Sequence, residues 1–332
     1  MQTTYLIGNG FDLNLGLHTR YCDFYDYYEK QETKSELIKK FKNDLCNNYD
    51  KWADLESALG KYSKNYSSFD DFKDIYYDIY DNLFDYIEHE DKKFIVNGIN
   101  EKFLKDLIAP ETYLPLLDKK AIDNFSRNWS NYSQWNTNII TFNYTNSIEK
   151  LLQQENKKQL KLGTSKYSNP IFLNNIKHIH GSILNNILLG VNDISQIDNE
   201  ILCKNPTFLD ILVKPQTNKM TKELIDNECF DIIKSSNLIC LFGLSIGDTD
   251  KIWWELIGER LKDSHCRIIY FTIGEKIENR RFHLIGDNER KLKEYLLSKT
   301  KLANQEKSIL KDKIYIAHNK NMFKIQNIKQ RY

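Results

Sequence analysis

Several features are missing from this 332-residue sequence, and each absence excludes a class of protein. No apolar run approaches the ~20 residues that a membrane span needs. No basic and apolar leader opens the chain, so we expect a cytoplasmic protein with no membrane partner. The six cysteines form no C-x-x-C pair, which indicates packed, reduced thiols. Formal net charge is only +1, so no overall field attracts nucleic acid.

The composition is that of a soluble globular protein, with 41% hydrophobic and 28% charged residues. At this length the chain can bury the core of one large domain or of two smaller ones. Neither an internal repeat nor a low-complexity linker marks a boundary, so the organisation has to be taken from hydrophobic periodicity.

That periodicity divides the chain into three stretches. A buried strand over residues 3–8 comes first and turns towards a helix. Residues 21–135 then read almost entirely as helix, most clearly over 69–87, where aromatic and aliphatic residues recur at spacings of three and four. Ser67 or Ser68 is a suitable cap for that helix, and its acidic row is typical of a solvated face.

From residue 136 onwards, strand-like and helix-like runs alternate. Such alternation predicts an α/β fold, a mostly parallel sheet with helices on both faces. Because the first strand comes from the N-terminus, residues 1–20 and 136–332 are assigned to this sheet domain and residues 21–135 to a large inserted α-helical cap. The strand-like runs are NIITFN (138–143), IKHIHG (176–181), NILLGVN (186–192), NLICLFGL (237–244), CRIIYFTI (266–273) and KIYIAH (313–318). The helix-like runs are TNSIEKLLQQ (145–154), KELIDNECFDIIKSS (222–236) and TDKIWWELIGERLK (249–262).

The first motif is Gly8-Asn9-Gly10, at the turn where the first strand ends. Glycines at such a turn let backbone N–H groups approach a phosphate, although the third glycine of the dinucleotide fingerprint is missing at its normal place. The alternative is a tight strand-to-helix turn capped by Asp12. A carboxylate repels phosphate, so Asp12 suits ribose hydroxyls or backbone N–H groups better.

A second strand end carries Asn143. In open α/β sheets, ligands bind beyond the carboxyl ends of the strands, so this side chain is expected to point into a crevice. A helix starts near Asn146 or Ser147, with Glu149 as a capping partner. Ordinary turn chemistry is the alternative explanation for this segment.

The segment HIHG (178–181) follows another strand. Residues two apart in a strand share a face, so His178 and His180 are expected to point the same way. A general base, a pair of metal ligands and a structural role are all open for these histidines. No third ligand with convincing spacing is present, so no metal is predicted.

A similar turn carries Gly243, Ser245 and Asp248. Its backbone N–H and hydroxyl groups suit a ribose or a phosphate, and Asp248 or Thr249 suits the cap of the following helix. A well-capped strand-to-helix junction is the alternative.

The last candidate lies in the helical stretch itself. Trp52 and Glu56 of WADLE (52–56) are four residues apart, on one face of a helix. A tryptophan there is usually core, whereas a glutamate beside an apolar stripe is less expected and would reach the crevice from the cap.

These motifs occur in an order that resembles one known family. The segments GNGFDLNLGLHTRYCDF (8–24), WADLE, FNYTN (142–146), HIHGS (178–182) and FGLSIGDTD (242–250) are together similar to the AbiH family of bacterial abortive-infection (phage-defence) proteins. The resemblance extends over residues 6–254. It implies an antiviral role with a phage-derived trigger, and self-association into a homo-oligomer whose stoichiometry no sequence feature fixes.

That family in turn resembles the sirtuin-like, Rossmann-like NAD-binding domains. The matching positions are Gly8 and Gly10 in the phosphate loop, Asn143 as the asparagine that orients ribose or water, His180 with Gly181 as the pair that supplies the base, and Gly243 and Ser245 in a ribose-contacting turn. Asp12 in the phosphate loop and Thr145 in place of an aspartate depart from the sirtuin pattern. The zinc-ribbon cysteines are also missing, which argues against a protein deacylase.

The resemblance therefore implies an NAD+ glycohydrolase that cleaves the nicotinamide–ribose bond, with Asn143 and His180 as catalytic residues. Glu56 is a further catalytic candidate from its own position in the cap. A nucleotide-binding sensor without turnover is the alternative. A nuclease is less expected: Arg260 and His265 have the spacing seen in small helical RNases, but the acidic helix and near-zero net charge argue against nucleic acid as a partner.

Overall fold

A seven-stranded sheet organises the chain. The computed structural model describes residues 1–153, 159–276, 279–281, 283–325 and 329–330. The sheet has the order β4-β5-β3-β1-β6-β7-β8, and every neighbouring pair is parallel except β4 with β5. Its strands are β1 (Gln2–Ile7), β3 (Trp135–Thr141), β4 (Leu160–Thr164), β5 (Pro170–His178), β6 (Leu238–Phe242), β7 (Arg267–Thr272) and β8 (Ile314–His318). A separate antiparallel pair joins β2 (Phe94–Ile95) to β9 (Lys329–Gln330).

Helices surround this sheet. The predicted helix of the acidic stretch begins at Phe69, and the Ser68 hydroxyl accepts a hydrogen bond from the amide of Asp70, so Ser68 is the cap. The helices are α1 (Gly10–Asn14), α2 (Tyr21–Tyr28), α3 (Glu36–Cys46), α4 (Leu55–Tyr62), α5 (Phe69–Lys93), α6 (Glu101–Ile108), α7 (Leu116–Ser126), α8 (Ser147–Leu152), α9 (Pro206–Leu212), α10 (Lys214–Thr221), α11 (Ile225–Ser235), α12 (Lys251–Leu261), α13 (His283–Ser298) and α14 (Asn304–Leu310). Residue 154 of the predicted TNSIEKLLQQ helix lies outside the described residues.

Alternating strand residues fill two cores, one on each face of the sheet. Tyr5 and Ile7 of β1 pack in the core that contains α6 and α7, whereas Leu6 packs in the core that contains α11 and α12. This alternation follows from the two-residue period of a strand. The predicted mostly parallel sheet with helices on both faces is confirmed.

The helical stretch between β1 and β3 is divided between two places. Helices α6 and α7 contribute Phe103, Leu107 and Ile122 to the sheet core. Helices α2 to α5 instead build a third core, together with residues 187–213. The cap over the carboxyl ends of the strands therefore combines the first half of the insertion with a later segment of the chain. The domain boundaries at residues 20 and 135 remain a prediction.

One predicted strand is wrong. NILLGVN (186–192) forms only an isolated bridge, between Val191 and Val213. Its apolar residues pack against the cap. Tyrosine hydroxyls of α5 donate hydrogen bonds to its backbone: Tyr76 to the carbonyl of Leu189 (2.8 Å) and Tyr80 to that of Ile187 (3.2 Å). These carbonyls are satisfied without a strand ladder, and apolar periodicity cannot distinguish that arrangement from a strand.

Several elements were not predicted from the sequence, among them β4, α9, α10, α13 and α14. None of the helices in the described part of the chain combines the length and the apolar character needed to cross a bilayer.

The turns that follow β1 and β6 touch backbone to backbone. The amides of Gly8 and Gly10 donate to the carbonyls of Phe242 and Gly243, each at 2.9 Å. A Cβ atom on Gly10 would lie 2.5 Å from Gly243 Cα, and one on Gly243 would lie 2.7 Å from the amide nitrogen of Phe11. Gly243 also has a φ of +65°. Glycine is required at these positions because no side chain fits between the two turns.

Gly243→Ala should therefore lower the free energy of unfolding by about 3 kcal/mol, through a left-handed backbone and an overpacked contact. Gly98→Ala is the matched control: Gly98 has a φ of +79°, but nothing lies within 4 Å of the position that its methyl group would take, so the cost should be only about 1 kcal/mol. Urea unfolding measures both. Equal losses for the two variants would contradict the close contact.

Candidate functional site

The carboxyl ends of β1, β3 and β6 and the turn after β5 open into one crevice of about 820 Å3. Ligand sites in proteins typically have this size. Most of the predicted site residues line it: Gly8, Asn9, Gly10, Glu56, Asn143, His180, Gly243 and Ser245. Asp12 and Asp248 are not among the lining residues. The sequence motifs therefore do meet, although several of them act differently from what the sequence predicts.

The predicted phosphate turn has few free amides. Two of its N–H groups, those of Gly8 and Gly10, donate to the β6 turn. The Asn9 side chain is also engaged, because its amide donates to the carbonyl of Thr19 (2.9 Å) and its oxygen accepts from the Thr19 hydroxyl. The glycines thus serve close backbone contact between the turns, and Asn9 fastens the loop that follows α1.

Asp12 lies below the crevice, where it is 1% exposed. It does not cap a helix, as the alternative interpretation held, since it lies inside α1. Its two carboxylate oxygens accept from the hydroxyls of Thr145 and Ser147, both at 2.7 Å. Burial raises the pKa of Asp12 to about 6, against the opposing effect of these hydroxyls. Thr145 and Ser147 are thus the partners of Asp12. Asp12 also lines a small adjoining cavity of about 110 Å3.

Asn143 presents an unsatisfied amide at the crevice. It follows β3, lines both cavities and is 5% exposed. Its amide favours the ionised form of nearby Asp12, yet neither its Oδ1 nor its Nδ2 has a partner with hydrogen-bond geometry among the described residues. Leaving such groups buried and unpaired costs about 1–3 kcal/mol each. An amide of this kind is expected where a ligand completes the hydrogen bonds.

His180 is held by an acid that was not predicted from the sequence. Its Nε2 lies 3.0 Å from Oδ1 of Asp250, and the Asn192 amide donates to the same oxygen at 3.0 Å. Burial alone would raise the pKa of Asp250, but His180, Lys214 and the Asn192 amide together lower it. A carboxylate kept ionised in this way holds the imidazole ring in a fixed orientation.

The prediction that both histidines point the same way is wrong, because β5 ends at His178 and His180 lies in the following turn. The ring nitrogens of His178 lie 2.9 Å from the carbonyl oxygen of Asn143 and 2.8 Å from a carboxylate oxygen of Glu149. Burial opposes protonation of His178, yet Glu149 raises its pKa overall. His178 is a structural bridge, and Glu149 holds it instead of capping α8.

Glu56 reaches the crevice from α4, as predicted, in a buried ion pair. Lys214 donates to its Oε2 at 2.7 Å, and the Tyr144 hydroxyl donates to its Oε1 at 3.0 Å. Burial raises the pKa of Glu56, although Lys214 and His180 favour its ionised form. Trp52 does not share its helix, since it lies in a preceding 3-10 turn. The hydroxyl of Thr249 donates to Asp54, the cap of α4, and so ties the insertion to the β6 turn.

The turn after β6 contributes differently from what the sequence suggests. Ser245 lines the crevice, but the Asp248 side chain is 80% exposed and pairs with Lys299 at 2.7 Å. Helix α12 begins at Lys251 with Asp250 as its cap residue, so neither Asp248 nor Thr249 caps it. The helix start is two residues later than expected, and this shift brings Asp250 to the crevice in place of Asp248.

A family model described as "Bacteriophage abortive infection AbiH" matches residues 4–272. The chain belongs to the AbiH family. The match contains every segment that forms the crevice, and family membership supports a role in phage abortive infection. No curated protein matches the chain.

The AbiH site also includes residues that were not predicted from the sequence. Arg20 and Tyr21 line it from the start of α2, within the family segment 8–24 but outside its glycine motif. Asp250 lies in FGLSIGDTD, so correct placement of the helix start would have identified it. Lys214 lies in α10, which was not predicted, and nothing in its local sequence points to Glu56.

Replacement of Asp12 should change how stability depends on pH. A raised pKa means that the folded protein binds this proton more tightly than the unfolded chain does. The resulting stabilisation is complete below pH 4 and is lost as the pH rises through about 6. Relative to Asp12→Asn, which does not titrate, the wild type should lose about 3 kcal/mol of unfolding free energy between pH 4 and 7. Urea unfolding at several pH values measures this, and a constant difference would contradict a buried carboxyl.

The Glu56–Lys214 pair should show strong coupling. Glu56→Gln and Lys214→Met each leave one buried charge unpaired and should cost about 3–5 kcal/mol. The double variant leaves neither charge and should cost less than either single variant. A double-mutant cycle in urea tests this, and additive losses would show that the two side chains do not interact.

Proposed function

We propose that this AbiH protein is an NAD+ glycohydrolase that acts in phage abortive infection by breaking the bond between nicotinamide and ribose. The observation that carries the proposal is the unsatisfied, buried amide of Asn143 beside the His180–Asp250 pair. An amide that can both donate and accept suits a ribose hydroxyl or an attacking water. The neighbouring imidazole suits proton transfer.

The shape of the site is compatible with a dinucleotide. A second hollow of about 260 Å3 adjoins the 820 Å3 crevice, and Gly10, Gly243 and Leu244 line both. The second hollow continues over the ends of β7 and β8, along Thr272 and Ala317. A ligand with two nucleoside halves would extend over the paired glycine turns, with one half in each hollow. Because the turns carry no side chains there, a pyrophosphate would have room to lie over them.

The charges of the crevice suit the reaction. In the proposed step the C1′–N bond breaks and its electron pair leaves with nicotinamide, which becomes neutral while positive charge develops on the ribose. The carboxylates of Glu56 and Asp250 lie within electrostatic range of each other and of His180. Fixed negative charge near the ribose stabilises such a transition state. Lys214 keeps Glu56 in place without entering the crevice lining.

Water completes the reaction. It adds to C1′, and its proton passes to His180, whose ring is oriented by Asp250. The products are ADP-ribose, nicotinamide and one proton. Asn143 orients the water and the ribose, and Tyr144 covers the Glu56 side of the pocket through its hydrogen bond.

The residues considered for a nuclease do not form a site of their own. Arg260 donates to the carbonyl of Ser236 (2.7 Å) and to Asp263 (2.6 Å), and His265 also bonds to Asp263. His265 lies beyond the end of α12, and neither residue lines the crevice. This pair is a surface network, so the nucleotide crevice is the better-supported site.

The proposal predicts release of nicotinamide from NAD+ by the purified protein, with phage components added if a trigger is required. Asn143→Ala, His180→Ala and Asp250→Asn should each reduce the rate about 100-fold or more, since each removes an orienting or proton-transferring group. His265→Ala removes a histidine outside the crevice and should leave the rate unchanged. Chromatography of nicotinamide and ADP-ribose provides the measurement.

Two outcomes would contradict the proposal in different ways. Turnover that persists in both Asn143→Ala and His180→Ala would reject the residue roles. A thermal shift that grows with NAD+ concentration, but no product under any condition, would show that the protein is a nucleotide-binding sensor without turnover.

A further inference from the structure

We propose that Arg20 is the phosphate anchor of the crevice and binds the pyrophosphate of the ligand through its guanidinium group. The inference rests on the proposed function for the identity of the ligand, but not for the existence of an anion site. It assigns to a side chain the task that was expected of the glycine turn.

The crevice needs such a donor. The amides of Gly8 and Gly10 are already bonded to the β6 turn, and the Asn9 side chain to Thr19. Helix α1 has only five residues, too few for an appreciable dipole. The backbone near the first strand therefore offers little to a doubly charged group, and a side chain has to neutralise it.

Arg20 is available for this task. It is the one Lys or Arg among the described residues that line the crevice. No side-chain hydrogen bond or ion pair of its guanidinium group occurs within the described ranges, whereas Glu56 has Lys214, and Asp250 has His180. The buried charges of the crevice are matched within the protein, whereas Arg20 is exposed at its wall and its charge is left for a ligand.

The local structure fixes where Arg20 stands. The reciprocal hydrogen bonds between Asn9 and Thr19 hold the loop directly before it. The backbone amide of Arg20 donates to the carboxylate of Asp23 at 3.2 Å, which starts α2. Arg20 lines both the crevice and the small adjoining cavity, and it shares both with Asn143. Its position is therefore set by the glycine turn, and Arg20 forms part of the wall of the ligand site.

Tyr21, the next residue, lies on the acidic side of the crevice. Tyr21 also lines the crevice, within electrostatic range of Glu56, Asp54 and Asp250, and burial and these carboxylates raise the pKa of its hydroxyl. Among the described residues, the crevice thus offers one permanent positive charge, that of Arg20, and a group of acids. NAD+ has the matching pattern, with an anionic pyrophosphate and a cationic nicotinamide ring. A planar guanidinium binds phosphate oxygens in a bidentate way, which lysine cannot do.

The test compares ligands that differ in phosphate content. Arg20→Met should weaken binding of ADP-ribose and NAD+ about tenfold or more, and leave binding of nicotinamide riboside, which has no phosphate, unchanged. Arg20→Lys should be intermediate. Arg127→Met is the control, because Arg127 is an exposed arginine before β3, at the other end of the sheet. Calorimetric titration gives the dissociation constants.

Inorganic pyrophosphate separates this inference from the proposed function. One outcome is that pyrophosphate stabilises the wild type but not Arg20→Met, while the wild type does not turn over NAD+. In that case the anion site at Arg20 is supported and the glycohydrolase activity is rejected. If Arg20→Met binds ADP-ribose as tightly as the wild type, Arg20 is not the phosphate anchor, whereas the proposed glycohydrolase activity is not contradicted. Absence of any stabilisation of the wild type by ADP-ribose or by pyrophosphate would overturn the inference.

Discussion

The backbone contact between the turns after β1 and β6 is the constraint on which the rest of the structure depends. Three glycines allow the two turns to approach until amide and carbonyl groups bond directly, at Gly8, Gly10 and Gly243. This contact closes the floor of the crevice at the centre of the sheet. It also occupies the two backbone amides that a dinucleotide-binding fold would otherwise offer to a phosphate. The groups that bind a charged ligand therefore have to be side chains.

Those side chains belong to two different parts of the chain. The strand ends supply Asn143 and His180, and the helical insertion supplies Glu56 and Tyr21. Arg20 directly precedes the insertion. The two parts are joined by polar contacts at the crevice itself, through Lys214 with Glu56 and Thr249 with Asp54. Buried ion pairs contribute little net stability but fix geometry when both partners are present. The insertion is therefore part of the site and not only a cover over it.

The sequence predicted the sheet, the insertion and the meeting of the motifs, because buried parallel strands and strand-end turns leave local patterns. Its errors have local causes. His180 was given the orientation of a strand residue although the strand stops at His178, and Asp248 was preferred to Asp250 because the helix start was placed two residues early. NILLGVN has the apolar pattern of a strand, but the cap binds its carbonyls. Lys214 and Glu56 are 158 residues apart in sequence, so their ion pair leaves no local signal.

The central claim is that the unpaired amide of Asn143 exists to hold a nucleotide. The most direct measurement is a crystal structure of the protein with ADP-ribose. The account predicts the ligand in the crevice, with a ribose or phosphate-linked oxygen within hydrogen-bond distance of Asn143 and the pyrophosphate at the glycine turns. A crevice that stays free of ligand at saturating ADP-ribose, with Asn143 bonded to the protein's own groups, would contradict it.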